Sequence, residues 1–207
     1  MIIRPNHKTN KMNDKLKYNS NIGNRRSIRL KGYDYSQAGF YFITICCHDR
    51  AYLFGEIVGA ENNESPKMAL NDAGKIANQC WMEIPKHFPN SVLHEHIVMP
   101  NHVHGIIELK SESVGAENFP PNKNGVNDVN GANDYSPLRS PSKTIGSIVR
   151  GFKIGVTKWF RNNTDHKTIW QRNYHEHIIR NEQSYQAIAE YIVNNPPKWE
   201  DDKFYKQ

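Results

Sequence analysis

Apolar positions recur along the chain with two different periods. Phe40–Cys47 (FYFITICC) is an unbroken aromatic and β-branched run, the pattern of a buried strand. Tyr52–Ile57 can pair with it across the polar turn His48-Asp49-Arg50, and residues 58–67 read as a polar loop. Asn71 can cap a helix whose Ala73, Ile76, Ala77, Cys80 and Ile84 fall at spacings of three and four, with Pro85 as its stop. Val92–Met99 and His102–Leu109 form two strands around the turn signal Pro100-Asn101. From Lys143 a second helix is expected to about Phe160, carried by Ile145, Ile148, Val149, Phe152, Val156, Trp159 and Phe160. Tyr174–Ile179 is a short strand candidate. Glu182–Asn194 is a third helix, ended by Pro196-Pro197.

Two stretches lack either period. Residues 1–24, rich in Asn and Lys, read as a disordered basic arm. Residues 111–142 read as a low-complexity insertion, with Asn, Gly, Pro and Ser at 18 of 32 positions. The pentapeptide VGAEN occurs at 58–62 and again at 114–118. Such segments bury too little apolar surface to offset the entropy of ordering them. Without them, 207 residues reduce to one domain over 25–200, with 201–207 as a tail. The element order β-α-β-β-α-β, followed by a C-terminal helix, predicts an α+β fold: a ferredoxin-like antiparallel sheet with helices on one face.

Composition narrows the setting. No run approaches 18 apolar residues, so no membrane span is expected, and the N-terminus has no apolar signal region. Three cysteines, two of them adjacent, suit a reducing, cytoplasmic location rather than a disulfide framework. The net charge of +6 is unevenly placed. Residues 1–31 carry nine Lys/Arg and one acid (+8), residues 143–180 carry eight and two (+6), and the remainder sums to −8. Two basic blocks in an otherwise acidic chain point to a polyanionic partner.

Three His-x-His pairs stand out: His94/His96, His102/His104 and His175/His177. On a strand, residues i and i+2 share a face, so each pair has the spacing to grip one divalent metal. His102/His104 follows the Pro-Asn turn with Val103 and Ile107 on its opposite face, and two imidazoles alone leave such a site incomplete. On the third helix, Tyr191 and Asn195 are i and i+4 and stack on one face, whereas Tyr185 points elsewhere. The alternative for this pair is a core tyrosine and a helix-terminal asparagine.

The segments RRSIRLKGYDYSQAGFYFITICCHDRAYLFGEI (25–57), MPNHVHGIIEL (99–109), IWQRNYHEHIIRNEQSY (169–185) and IAEYIVNNPPKW (188–199) resemble the REP-associated tyrosine transposases, of the single-tyrosine branch of the HUH endonuclease superfamily. The resemblance implies that His102 and His104 bind Mg²⁺ or Mn²⁺, with Asn195 as third ligand, and that Tyr191 is the nucleophile. The implied reaction is cleavage and rejoining of single-stranded DNA at hairpin-forming repeat or transposon ends through a 5′-phosphotyrosine. At neutral pH the tyrosine must give up a proton held near pH 10, a cost of about 4 kcal/mol. No general base is legible, although Glu176 and His177 lie in a matching segment. Arg25, Arg26, Arg29, Lys153, Lys158, Arg172 and Arg180 are the candidate phosphate contacts, and Tyr33, Tyr35, Trp170 and Tyr174 candidate base-stacking rings. A non-catalytic DNA-hairpin binder retaining the fold is the alternative, and a homodimer remains open beside a monomer.

Overall fold

The computed structural model describes residues 32–59, 65–111 and 143–205. The arm over 1–24, Arg25, Arg26, Arg29, residues 60–64 and all but the first residue of the 111–142 insertion lie outside the described residues.

In chain order the elements are β1 (Gly39–Cys46), β2 (Gly55–Val58), β3 (Lys67–Leu70), α1 (Asp72–Met82), α2 (Ile84–His87), β4 (Ser91–Met99), β5 (His102–Leu109), α3 (Ile145–Asn163), β6 (His175–Ile179) and α4 (Glu182–Val193). A 3-10 segment, Pro196–Asp201, follows. The main sheet has the order β4-β5-β1-β6, with every neighbouring pair antiparallel. This is the ferredoxin-like order expected from the succession of elements.

Residues 52–57 do not pair with β1. Both edges of β1 are occupied, one by β5 and the other by β6, so β2 forms a separate two-stranded ribbon with β3. Pro85 also differs from expectation. The helix capped by Asn71, whose side chain accepts from the Gly74 N–H at 2.9 Å, ends at Met82. Pro85 then sits in the first turn of α2, where no amide donor is required.

The sheet is covered on both faces, which explains the near-continuous apolar runs of β1 and β5. Tyr41, Ile43 and Ile45 of β1, with Val103, Ile107 and Leu109 of β5, pack against the buried stripe of α3 (Ile145, Ile148, Val149, Phe152, Val156, Phe160) and against Ala77 and Trp81 of α1. The two crossover helices thus share one face, as expected. The C-terminal helix takes the other: Ala189 and Ile192 of α4 pack with Ile106, Ile179, Phe40 and Phe42. Tyr35 and Trp170, candidate stacking rings in the sequence, belong to the α1/α3 core, where Trp170 lies 5.5 Å from both Phe54 and Phe152.

Gly105 sits in the middle of β5, between the histidine positions and the apolar end. A methyl group there would drive into the indole of Trp81, which lies against the glycine backbone and is fully buried. Gly105→Ala is therefore expected to destabilise the fold by about 1–3 kcal/mol through overpacking, a fall in melting temperature of about 2–12 °C for a domain of this size. Thermal unfolding followed by circular dichroism measures it, and an unchanged midpoint would contradict the tight Trp81 contact.

Candidate active site

The period of two along β5 sorts its residues. Val103, Gly105 and Ile107 face the α1/α3 core, and His102, His104 and Ile106 face α4. His102 and His104 are almost wholly removed from solvent, with ring centroids 4.3 Å apart. The side chain of Asn101 fixes the first ring. Its Nδ2 donates to the backbone oxygens of Phe204 (2.8 Å) and Arg50 (3.3 Å). That orients Oδ1 as the acceptor 2.9 Å from His102 Nδ1, so Nδ1 carries the proton. The lone pair of His102 Nε2 is left buried without a hydrogen-bond partner.

Thr44 of β1 lies opposite His104 in the register and sets its hydroxyl 2.8 Å from Nδ1. His104 Nε2 is 3.2 Å from the Tyr191 hydroxyl. The tyrosine O–H donates to Asp202 Oδ2 at 2.8 Å, so the His104 contact places a proton on Nε2. Because a threonine hydroxyl both donates and accepts, Thr44 supports either tautomer of His104. Burial lowers the pKa of His102 to about 3, and burial together with the neighbouring His102 holds His104 well below its ordinary value. Both rings are neutral at physiological pH.

Helix α4 brings Tyr191 and Asn195 onto this face one turn apart, since Asn194 and Asn195 continue the chain in near-helical conformation beyond the last helical residue. Asn195 is buried. Its Nδ2 donates to Asp202 Oδ2 at 2.9 Å, and its Oδ1 has no hydrogen-bond partner. Among the described residues no group of three or more His, Cys, Asp or Glu side chains is arranged to hold a metal. A donor set that could hold a divalent ion is the two imidazoles with the Asn195 amide oxygen. The orphaned Nε2 and Oδ1 are the observation in its favour, because buried polar atoms without partners are rare.

Burial, followed by the hydrogen bond to Asp202, raises the pKa of the Tyr191 phenol. The ring packs edge-on to Phe42, and its hydroxyl end borders a cavity of about 290 Å³ lined also by Asn195, Lys198, Asp202 and Lys203. Residues 201–205, expected as a tail, are part of this site. The Phe204 ring lies 4.6 Å from His102 and 5.7 Å from His104, and Trp199 is 5.8 Å from His102. Arg50, in the left-handed conformation (φ 54°), donates to the Lys203 carbonyl at 2.8 Å. None of Asp202, Phe204, Arg50, Thr44 or Asn101 stood out in the sequence as a site residue. Only the turn positions of Arg50 and Asn101 carried a signal.

The other sequence candidates are dispersed. A register shift between Leu93 and His96 breaks the alternation of β4. His94 consequently joins the α4 face, bonded to Glu108 and Tyr185. His96 turns to the other face, where it stacks on Trp81 and bonds Asn78. That pair cannot grip one metal. His175 and His177 share the Tyr191 face on edge strand β6 and are exposed, while Glu176 lies on the opposite face. Lys153 on α3 spends its ammonium on the backbone carbonyls of Gln171 (2.8 Å) and Asn173 (3.1 Å), and burial lowers its pKa to about 8. It clamps a loop rather than facing the histidines. Lys158 is exposed on the same helix, across the sheet from Tyr191, and Arg172 and Arg180 are exposed at either end of β6. No helix of the described residues is long and apolar enough to cross a membrane.

The depressed imidazole pKa values have a consequence for stability. Unfolded histidines take up protons near pH 6.5, and these two do so only far lower. Their contribution is complete above about pH 6.5 and is lost as pH falls, by about 1.4 kcal/mol per pH unit for each ring. Melting temperature of the metal-free protein is expected to drop steadily below that pH, and His102→Gln should flatten the slope by about one proton's worth. A flat wild-type profile would contradict two buried neutral imidazoles.

No protein-family model matches the chain. An uncharacterised Haemophilus influenzae protein is 49% identical over 189 residues, spanning 91% of this chain and 97% of that protein. Among solved structures, a REP-associated tyrosine transposase bound to a REP hairpin superposes with a TM-score of 0.51 over 87% of this chain and 78% of its own, at 19% identity. The chain belongs to the same family as the Haemophilus influenzae protein, and its four-stranded antiparallel sheet with helices has the fold of the REP-associated tyrosine transposase structure.

Proposed function

We propose that this protein cleaves and rejoins single-stranded DNA beside a hairpin, with Tyr191 as the nucleophile and His102, His104 and Asn195 as ligands for Mg²⁺ or Mn²⁺. The observation that carries the reading is one juxtaposition: the Tyr191 hydroxyl lies 3.2 Å from His104 Nε2, beside two buried donor atoms without partners, His102 Nε2 and Asn195 Oδ1. The REP hairpin bound by the structural neighbour supports a DNA hairpin as the substrate class.

In the proposed reaction Tyr191 Oη attacks the scissile phosphorus in line. A phosphorus–oxygen bond to tyrosine forms as the bond to the 3′ oxygen breaks. The phenol loses its proton and the leaving 3′ oxygen gains one, so no nucleoside triphosphate is consumed. Attack of a 3′-hydroxyl on the phosphotyrosine reverses the step and joins strands. A bound divalent ion supplies Lewis-acid polarisation of the phosphate. The protein's own contributions are positional. Asn101 keeps His102 Nε2 free of its proton, Thr44 lets His104 shed its own, and α4 holds the phenol on the ligand face. Lys198 and Lys203 border the cavity at the phenol and offer charge to a phosphate.

One observation favours the second reading, a hairpin binder without catalysis. Phe204 covers both histidines, and Asp202 holds the phenolic proton and the Asn195 amide. Cleavage requires residues 202–204 to withdraw. A carboxylate at the phenol also raises its pKa, so removing that charge eases ionisation.

Incubation with labelled hairpin DNA and Mn²⁺, resolved on a denaturing gel, is expected to give a covalent adduct that Tyr191→Phe and His102→Ala abolish. An adduct persisting in Tyr191→Phe would refute the nucleophile. Absence of an adduct with any hairpin from the host genome would favour the non-catalytic reading. Asn101→Ala is expected to lower metal affinity, read by titration calorimetry, by about 10- to 100-fold, as loss of a ligand-orienting partner does. Asp202→Asn is expected to increase the adduct rate at neutral pH and to shift the rise of rate with pH toward lower pH. A slower Asp202→Asn variant would show that the carboxylate assists the reaction instead of restraining the phenol.

A further inference from the structure

The face of the sheet that carries Tyr191 holds a second cavity, of about 300 Å³, at the opposite end of α4. Phe40, His94, Ile179, Arg180, Glu182 and Tyr185 line it. Three of its rings meet in a corner: Phe40 and His94 at 5.2 Å, Phe40 and Tyr185 at 5.5 Å, and His94 and Tyr185 at 5.7 Å, with interplanar angles of 57–85°. The corner is rigid. The Tyr185 hydroxyl donates to Glu95 Oε2 at 2.8 Å and lies 3.1 Å from His94 Nδ1, and His94 Nε2 is 3.0 Å from Glu108 Oε2. All the polar atoms of the two rings are thereby committed, which leaves ring surface as what they present to a guest. The β4 register shift is what puts His94 here.

We propose that this corner takes one unpaired nucleobase of the DNA strand engaged at Tyr191, with Arg180 on a neighbouring phosphate. The proposal rests on the DNA reading above and adds a position-specific contact to it. Three observations single out a nucleobase. The cavity matches a small planar guest, at the lower end of the volumes that hold small molecules. Arg180 is exposed at its rim with no partner among the described residues, free to meet a phosphate. The Glu182 carboxylate on the same rim, held by Gln186 Nε2 at 2.7 Å, opposes a free polyphosphate and suits a base edge that donates hydrogen bonds. The spacing fits one strand serving both sites. Tyr185 and Tyr191 are six residues apart, about 9 Å of helix, and a stacked strand rises about 3.4 Å per nucleotide. The recognised base then lies about one to three nucleotides from the phosphate at Tyr191.

The test uses the full chain and a DNA hairpin with short single-stranded flanks, read by fluorescence anisotropy while one abasic site is stepped along the flank. At one position the missing base is expected to weaken wild-type binding by about fivefold or more, the lower end of what a stacked base contributes. Tyr185→Leu should weaken binding of intact DNA by a similar factor, yet add nothing on DNA abasic at that position. Tyr185→Phe, which keeps the ring, should bind intact DNA nearly as wild type does. Arg180→Ala should weaken binding and reduce its salt dependence. The proposal is overturned if the Tyr185→Leu and abasic effects multiply at every position. Should Tyr185→Leu fail to fold, 2-aminopurine placed along the flank of wild-type complexes decides: quenching at one position supports the corner, and quenching at none overturns it. DNA binding with this coupling but without adduct formation would refute the cleavage reading and leave the base pocket standing. If the wild-type protein binds no hairpin DNA at all, both fall.

Discussion

Four hydrogen bonds at Asn101 tie the site together. Its backbone oxygen accepts from the Cys47 N–H at the end of β1, and its amide nitrogen reaches the carbonyls of Arg50 and Phe204. Its amide oxygen then has one orientation left, toward His102 Nδ1. One side chain in a two-residue turn therefore sets the tautomer of a buried imidazole and anchors the C-terminal residues over it. Removing it leaves a buried ring free to choose its proton position, and leaves two carbonyls beside it without their donor. Such groups are costly in a low-dielectric interior.

The sheet imposes the rest. Because α1 and α3 fill one face with apolar side chains, anything chemical on β5 must emerge on the other, and the strand's period of two delivers His102 and His104 there together. Helix α4 closes that face with a stripe of Ala189 and Ile192 and carries a tyrosine near each end. Each tyrosine hydroxyl meets an imidazole and a carboxylate: Tyr191 meets His104 and Asp202, and Tyr185 meets His94 and Glu95. The two ends differ in what their histidines keep. At Tyr191 the neighbouring His102 retains an unused lone pair, whereas at Tyr185 both nitrogens of His94 are engaged. The first arrangement suits a metal and the second an inert wall.

Much of this was legible from residue order, and the exceptions have physical causes. Long amphipathic stretches such as 145–160 and the cap Asn71 signal locally, so they read correctly. The pairing of 52–57 did not, because whether a strand edge is vacant depends on partners distant in sequence; β6, which occupies the second edge of β1, begins at His175, about 105 residues beyond the end of the ribbon at Leu70. The equivalence of His94 and His96 failed at a register shift that no local residue announces. Lys153 and Trp170 have the chemistry of phosphate and base contacts, and also that of a loop clamp and a core ring. Only burial separates the two roles. His102, His104, Tyr191 and Asn195, singled out by the motif resemblance, lie together on the α4 face. Asp202 follows Asn195 through an irregular 3-10 segment whose geometry has no sequence period, and so it was invisible.

The residues that cover the histidines are the last described stretch of the chain, and they join no ladder of the main sheet. Their release breaks a handful of side-chain and carbonyl contacts and disrupts no strand pairing. The free energy of such an opening is that of local fraying, well below global unfolding. Amide hydrogen exchange at 202–204 would then run far ahead of exchange in β1 and β5. Access to the histidines would be gated by residues outside the main sheet, while the two rings beneath stay embedded in a central strand.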